Sequence, residues 1–182
     1  MLLFINACVR KESRTKLLAD SYLSKLGLPY EEVRLEGIDF PIVNESFLKK
    51  RDELMEEGKF DDPMFSLANQ FAEAEEIVIA APGWDLSFPA SLKQYFEQIN
   101  VIGITFGYTA EGMPKGLCSA RKITYITTCG GTYFPDEYGF GYVKALATTF
   151  YGIKEVNLIK ADGLDIDGAD VESILKTAKE KI

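Results

Sequence analysis

Apolar residues are gathered into five short runs, separated by stretches where they recur at helical spacing. Leu2-Leu3-Phe4-Ile5 has no alternation, the pattern of a strand buried on both faces. Ser13 then starts a helical stretch with Leu18, Tyr22 and Leu26 along one side, ended by Gly27 and Pro29. Residues 31–35 read as a second, shorter strand and residues 77–81 as a third, entirely apolar one. Leu92, Tyr95, Phe96 and Ile99 fall at i, i+3, i+4 and i+7, which predicts an amphipathic helix over 89–100 with Pro89 at its start. A fourth strand spans 123–128, and Val143, Leu146, Ala147 and Phe150 stripe the helix after it. A fifth strand spans 156–161, followed by a last helix with Val171, Ile174, Leu175 and Ala178 on its inner side. Strands alternating with helices predict an α/β fold around a central parallel sheet, because parallel strands need crossover helices.

The connection from Glu36 to Glu75 is the irregular part. A charged helix is expected near 46–57, and a second helix from Asp62-Pro63, an N-cap followed by proline at the first helical position. Met64, Leu67, Ala68 and Phe71 form its apolar stripe. No repeat and no compositional break marks a second domain, so residues 1–182 are expected to form one domain.

Charge and composition narrow the chemistry. Twenty basic against 28 acidic residues give a net charge of −8, which argues against a nucleic-acid groove. No apolar run approaches the ~20 residues that span a bilayer. No basic leader precedes an apolar stretch and a cleavage site, so a cytoplasmic location is expected. The three cysteines are widely spaced and form neither a disulfide framework nor a zinc motif. The chain has no histidine, which removes Ser-His-Asp and Cys-His hydrolases and His-ligated metals. Chemistry is left to carboxylates, Tyr, Lys, Cys or a bound cofactor, and no metal site is expected.

Ligands of open parallel sheets bind at the carboxyl ends of the strands, beside the point where strand order reverses. Three segments fall there. Residues 6–15 offer free N–H groups at a helix start, hydroxyls from Ser13 and Thr15, and the charge of Arg10, a set suited to phosphate. They carry neither a dinucleotide fingerprint nor a P-loop. Pro82-Gly83-Trp84-Asp85-Leu86 places the chain's only Trp on a stiff loop, suited to a flat ring. Thr128-Cys129-Gly130-Gly131 sets paired glycines where a backbone approaches a ligand closely or adopts positive φ. Each segment also has a plain structural use: Ser13 as an N-cap, Trp84 as a plug or subunit contact, the glycines as a tight turn. Cys129 has no visible partner to lower its pKa and reads as a small, semi-buried residue. Together the three loops outline a mononucleotide with a flat, polar-edged ring.

Ala81-Pro82-Gly83-Trp84-Asp85-Leu86, Leu92-Lys93-Gln94-Tyr95-Phe96 and Gly103-Ile104-Thr105-Phe106-Gly107-Tyr108 resemble the FMN-dependent NADH-azoreductase and NAD(P)H:quinone oxidoreductase family of flavodoxin-like fold. The resemblance implies a three-layer sandwich with strand order 2-1-3-4-5, non-covalent FMN, and a homodimer. It also implies NADH or NADPH as donor and two-electron transfer, in ping-pong order, to a small-molecule quinone, azo or nitroaromatic acceptor. By position, Ser13, Arg14 and Thr15 match the phosphate loop, with Arg10 as an added contact from the residues themselves. Gly83, Trp84, Asp85 and Leu86 match the ring loop, and Thr128, Cys129, Gly130 and Gly131 the turn at the ring's pyrimidine end. Gly83 and Cys129 stand where larger or charged residues are common in the family. With no histidine available, Tyr133 or Tyr108 is the candidate proton donor to the acceptor, and water is the alternative. An FMN electron carrier serving a protein partner is the competing reading, favoured by the acidic charge but lacking that class's phosphate-loop pattern. A sensor that kept the fold without activity is a third.

Overall fold

The computed structural model describes residues 1–180. Five parallel strands form the central sheet: β1 (Leu2–Asn6), β2 (Tyr30–Arg34), β3 (Glu76–Ala80), and two further strands separated from these by a small hairpin. The hairpin is β4 (Phe106–Tyr108) with β5 (Pro114–Gly116), antiparallel, and the sheet is completed by β6 (Lys122–Thr128) and β7 (Glu155–Ala161). The order across the sheet is β2-β1-β3-β6-β7. Counting only the parallel strands, this is the expected 2-1-3-4-5.

Helices cover both faces. On one side lie α1 (Arg14–Leu26) and α6 (Val171–Glu180). On the other are α3 (Ser66–Glu73), α4 (Ala90–Ile99) and α5 (Phe140–Leu146), with α2 (Glu45–Glu56) on the outside and no fully buried side chain of its own. Strand alternation sorts the core into two layers. Leu3, Ile5, Ile77, Ile79, Ile123 and Tyr125 point to the α3–α4–α5 side, where Phe71, Leu92, Tyr95 and Phe96 pack. Leu2, Phe4, Val78, Ala80 and Ile126 meet Leu18, Tyr22 and Leu175 from α1 and α6. β1 is buried at every position because it lies between two strands and under helices on both faces.

The predicted helix stripes face the core, with Leu26, Met64, Leu67, Phe150, Val171 and Ile174 only partly buried, and the boundaries move by a few residues. Pro89 precedes α4 rather than starting it, and Asn44 caps α2, its side chain accepting from Phe47 N at 3.0 Å. Asp62 does cap at Met64 N, 2.9 Å away, but Pro63–Phe65 forms a 3₁₀ turn and α3 begins only at Ser66. Gly27 ends α1 at φ 63°, the left-handed cap position for which glycine is suited. The β4–β5 hairpin, to which the sequence pattern assigned no element, seats Gly116 against the Tyr151–Gly152 backbone, where α5 widens into a π turn over Ala147–Tyr151. Among the described residues no helix is long and apolar enough to cross a membrane, and no group of three or more acidic or Cys side chains is arranged to hold a metal.

Candidate functional site

The reversal of strand order lies between β1 and β3, and their carboxyl ends open beside it. Hydrogen bonds continue the sheet past its last residues and hold the loops in register. Ala7 N donates to Ala80 O (2.9 Å), Ala81 N to Ile126 O (3.0 Å), Gly83 N to Thr128 O (2.9 Å) and Cys129 N to Ala161 O (2.9 Å). Loops far apart in sequence therefore converge on one cleft of about 320 Å³, within the usual range for small-molecule sites.

Of the residues expected there, Arg10, Ser13, Arg14, Thr15, Pro82, Gly83, Trp84, Thr128, Cys129 and Gly130 all line the cleft. Asp85, Leu86, Gly131 and Tyr133 do not; Asp85 and Gly131 adjoin lining residues, Leu86 lies one residue further on, and the Tyr133 side chain is 81% exposed. Tyr108 is on β4, half-exposed and also outside the cleft. Val9, Glu12, Leu164 and Asp165 line it without having been singled out. Leu164 and Asp165 come from the loop after β7, also a strand carboxyl end. The rule that located the other three loops applies to it equally.

At the α1 end, Ser13 is the N-cap, its Oγ accepting from Lys16 N at 3.3 Å. The N–H groups of Arg14 and Thr15 have no intrahelical acceptor, as at any helix start. Thr15 is buried, and its hydroxyl shares a 2.6 Å hydrogen bond with Thr128 Oγ1, tying the start of α1 to the end of β6. Arg14 Nη1 donates to Asp165 Oδ1 at 2.6 Å and Leu164 O at 3.2 Å. Arg10 is exposed and makes no ion pair among the described residues.

At the Trp84 end the chain makes a two-residue reversal. Trp84 N donates to Ser87 O (3.2 Å) and Ser87 N to Trp84 O (2.7 Å), with Asp85 and Leu86 both at positive φ, 50° and 65°. Such a turn usually takes Asn-Gly; a leucine held left-handed costs roughly 1–2 kcal/mol. Retained strain of this kind concentrates at functional sites. Ser87 Oγ anchors the turn by donating to Tyr138 O at 2.7 Å, and Trp84 keeps 39% of its surface exposed.

The glycines correct the expectation placed on them. Neither Gly130 nor Gly131 is at positive φ. A Cβ on Gly130 would collide with the Asp165 carboxylate. One on Gly83 would come within 2.6 Å of Cys129 Sγ and 2.8 Å of the Phe134 ring. At both positions atoms of the chain itself leave no room for a Cβ, and Gly131 has open space around it. Cys129 is buried, and that burial pushes its thiol up to about 11, so it is no nucleophile at neutral pH. Lys160 pins the segment beyond, donating to Phe134 O at 2.8 Å and Asp136 Oδ1 at 3.1 Å.

A family model described as "flavodoxin-like fold" matches residues 1–182. The chain belongs to that family. Among its members' relatives, a Lachnoclostridium phytofermentans protein named "FMN-dependent NADH:quinone oxidoreductase" is 40% identical over 99% of this chain and 94% of its own length. A Clostridium acetobutylicum protein named "FMN-dependent NADH:quinone oxidoreductase 2" has the same identity and coverages. Among solved structures, an azoreductase from Bacillus anthracis str. Sterne superimposes with a TM-score of 0.84 at 27% identity, covering 99% of this chain and 95% of that one.

Proposed function

We propose that the cleft binds FMN non-covalently and that the chain is an NAD(P)H dehydrogenase passing two electrons, in ping-pong order, to small quinone, azo or nitroaromatic acceptors. The observation that carries this reading is the meeting, in one cleft, of anion donors at the start of α1 with the Trp84 turn and the 128–130 backbone. The donor set fits the group. The free N–H groups of Arg14 and Thr15, the Ser13 hydroxyl and the unpaired Arg10 suit a phosphate. Pro82, Gly83 and Trp84 give a stiff, flat-sided wall, and the N–H groups of Asp85 and Leu86, beside the cleft and without an acceptor among the described residues, are available to a polar ring edge.

When bound, FMN supplies acceptance of hydride from the nicotinamide and delivery of two electrons to the acceptor. The chain's own work is orientation. The strained turn holds its N–H groups fixed before any ligand arrives, so no reorganisation accompanies the change of charge on the ring. The Thr15–Thr128 bond fixes the distance between the phosphate end and the wall formed by residues 128–130. Within this proposal water supplies the acceptor's protons, with Tyr133 and Tyr108, which do not line the cleft, as the alternative donors.

Within the same proposal the protein is a single domain and a cytoplasmic homodimer. Three free thiols suit a reducing compartment, and Ile42 with Val43 leaves apolar surface on the approach to α2. The test is an absorbance spectrum of purified protein before and after FMN, then after anaerobic NADH, with menadione turnover alongside. Bound flavin that NADH bleaches, and turnover above that of free FMN, are expected. A protein-serving carrier would bind flavin but resist bleaching by NADH alone; a protein that takes up no FMN ends the reading altogether.

A further inference from the structure

We propose that Asp165 sets the selectivity of the cleft for phosphorylated over unphosphorylated flavin, by holding Arg14 in an internal ion pair that a bound phosphate must loosen. This rests on the reading of the cleft as an FMN site.

Arg14 is the first residue of α1, beside the capping Ser13, and matches the position expected to meet phosphate. Its guanidinium is instead engaged across the fold, with Nη1 2.6 Å from Asp165 Oδ1 and 3.2 Å from Leu164 O. The carboxylate is delivered there by backbone geometry rather than by chance contact. Asp165 N donates to Gly130 O at 2.9 Å, Leu164 N to Cys129 O at 3.2 Å, and Gly163 N to Gly131 O at 3.0 Å. The missing Cβ of Gly130 leaves the space in which the carboxylate sits. Three hydrogen bonds and one glycine thus bring a negative charge to the wall of a cleft in which the N-terminus of α1 suits an anion.

The lining charges show the consequence. Arg10 and Arg14 face Glu12 and Asp165, so the wall carries no net charge. Arg14 and Asp165 pair with each other, while Arg10 and Glu12 make no ion pair among the described residues. A phosphate dianion entering here competes with Asp165 for Arg14 and is repelled by the same carboxylate. The ring and ribityl portions of a flavin carry no such charge and are indifferent to the pair. Both partners are partly exposed, at 42% and 69% of their side chains, so the exchange takes place in a screened, solvent-accessible setting and its size is modest.

The experiment measures dissociation constants of FMN and riboflavin by flavin fluorescence quenching for the full-length protein, Asp165→Asn, Arg14→Gln and the double variant. Asp165→Asn is expected to tighten FMN by about two- to fivefold, the range a screened charge pair supports, with riboflavin left unchanged within error. Arg14→Gln is expected to weaken FMN while sparing riboflavin, and the gain from Asp165→Asn is expected to shrink in the Arg14→Gln background. The FMN gain should also fade in high salt. Unchanged or weaker FMN binding by Asp165→Asn, or equal shifts for both flavins, would overturn the inference and leave the pair a structural tie. Failure of the unmodified protein to bind either flavin would instead remove the FMN reading on which it rests.

Discussion

The hydroxyl pair between Thr15 and Thr128 makes the sharpest demand on the structure. Thr15 is 1% exposed and Thr128 8%, and their Oγ1 atoms are 2.6 Å apart. Replacing either by valine keeps the branched shape but leaves the other hydroxyl buried without its partner. That costs about 1–3 kcal/mol, whereas removing both partners of such a pair is close to neutral. Thr15→Val and Thr128→Val should therefore each destabilise by about 1–2 kcal/mol, and the double variant by less than either. In a chain of this size ~1 kcal/mol moves the thermal midpoint by about 2–4 °C, so each single variant should melt several degrees early. Urea titrations of the flavin-free proteins, followed by circular dichroism, give the free energies. A non-additivity of about 1–3 kcal/mol in the double-mutant cycle is expected. Additive losses would refute the reasoning, because they would mean that water satisfies each hydroxyl and that α1 and β6 are not joined there.

Gly83→Ala should destabilise by about 1–3 kcal/mol and weaken FMN binding, and adding Cys129→Ala should recover part of both losses, because Cys129 Sγ is the nearest atom the new methyl meets. Tyr133→Phe and Tyr108→Phe should each leave menadione turnover within about twofold across pH 6–8; a large loss in either would restore a tyrosine as proton donor. The thiols should resist iodoacetamide in the native protein at pH 7.5 and react in urea, since burial pushes Cys129 up to about 11 and Cys118 up to about 12. Folded values above the ordinary 9.0 mean that the contribution of these thiols to stability is complete below pH 9 and lost as pH rises through the folded values. The urea midpoint should therefore fall from pH 9 upward, and less steeply in a Cys118→Ala, Cys129→Ala variant.

The sheet was legible because its strands are apolar runs whose burial leaves no room for another pattern. The stripes of α1, α3, α4 and α6 follow from the same cause, and the strand-end rule then located three of the four loops around the cleft. The hairpin of β4 and β5 was not legible. Its strands are three residues each, one contains Gly107 and the other is Pro-Lys-Gly, so neither shows a period. What holds it is tertiary: the stacking of Phe106 on Phe150 at 4.5 Å and the close seat of Gly116 on the turn after α5. Leu164 and Asp165 lie at a strand end where the same rule points, but their pairing with the opposite loop was not legible. Their role depends on backbone hydrogen bonds to residues 129–131, which no local spacing encodes.

The glycines show that a small residue at a strand end answers to the packing of its own chain. Paired glycines at a strand end suggest a backbone thinned for a ligand, and Gly130 does line the cleft. Yet the atom that would meet its Cβ is a carboxylate of this chain, and at Gly83 it is a thiol and a phenyl ring. Small residues are needed there because four loops crowd one sheet end, and the crowding fixes the cleft before any ligand enters. The residues that do carry unusual backbone conformations are Asp85 and Leu86, where side-chain chemistry gave no warning. A turn that keeps leucine at φ 65° when glycine would relax it is holding its N–H groups in a set direction. Strain is thus concentrated in a loop whose Asp85 and Leu86 N–H groups have no acceptor among the described residues, while the glycines serve the packing that keeps that loop in place.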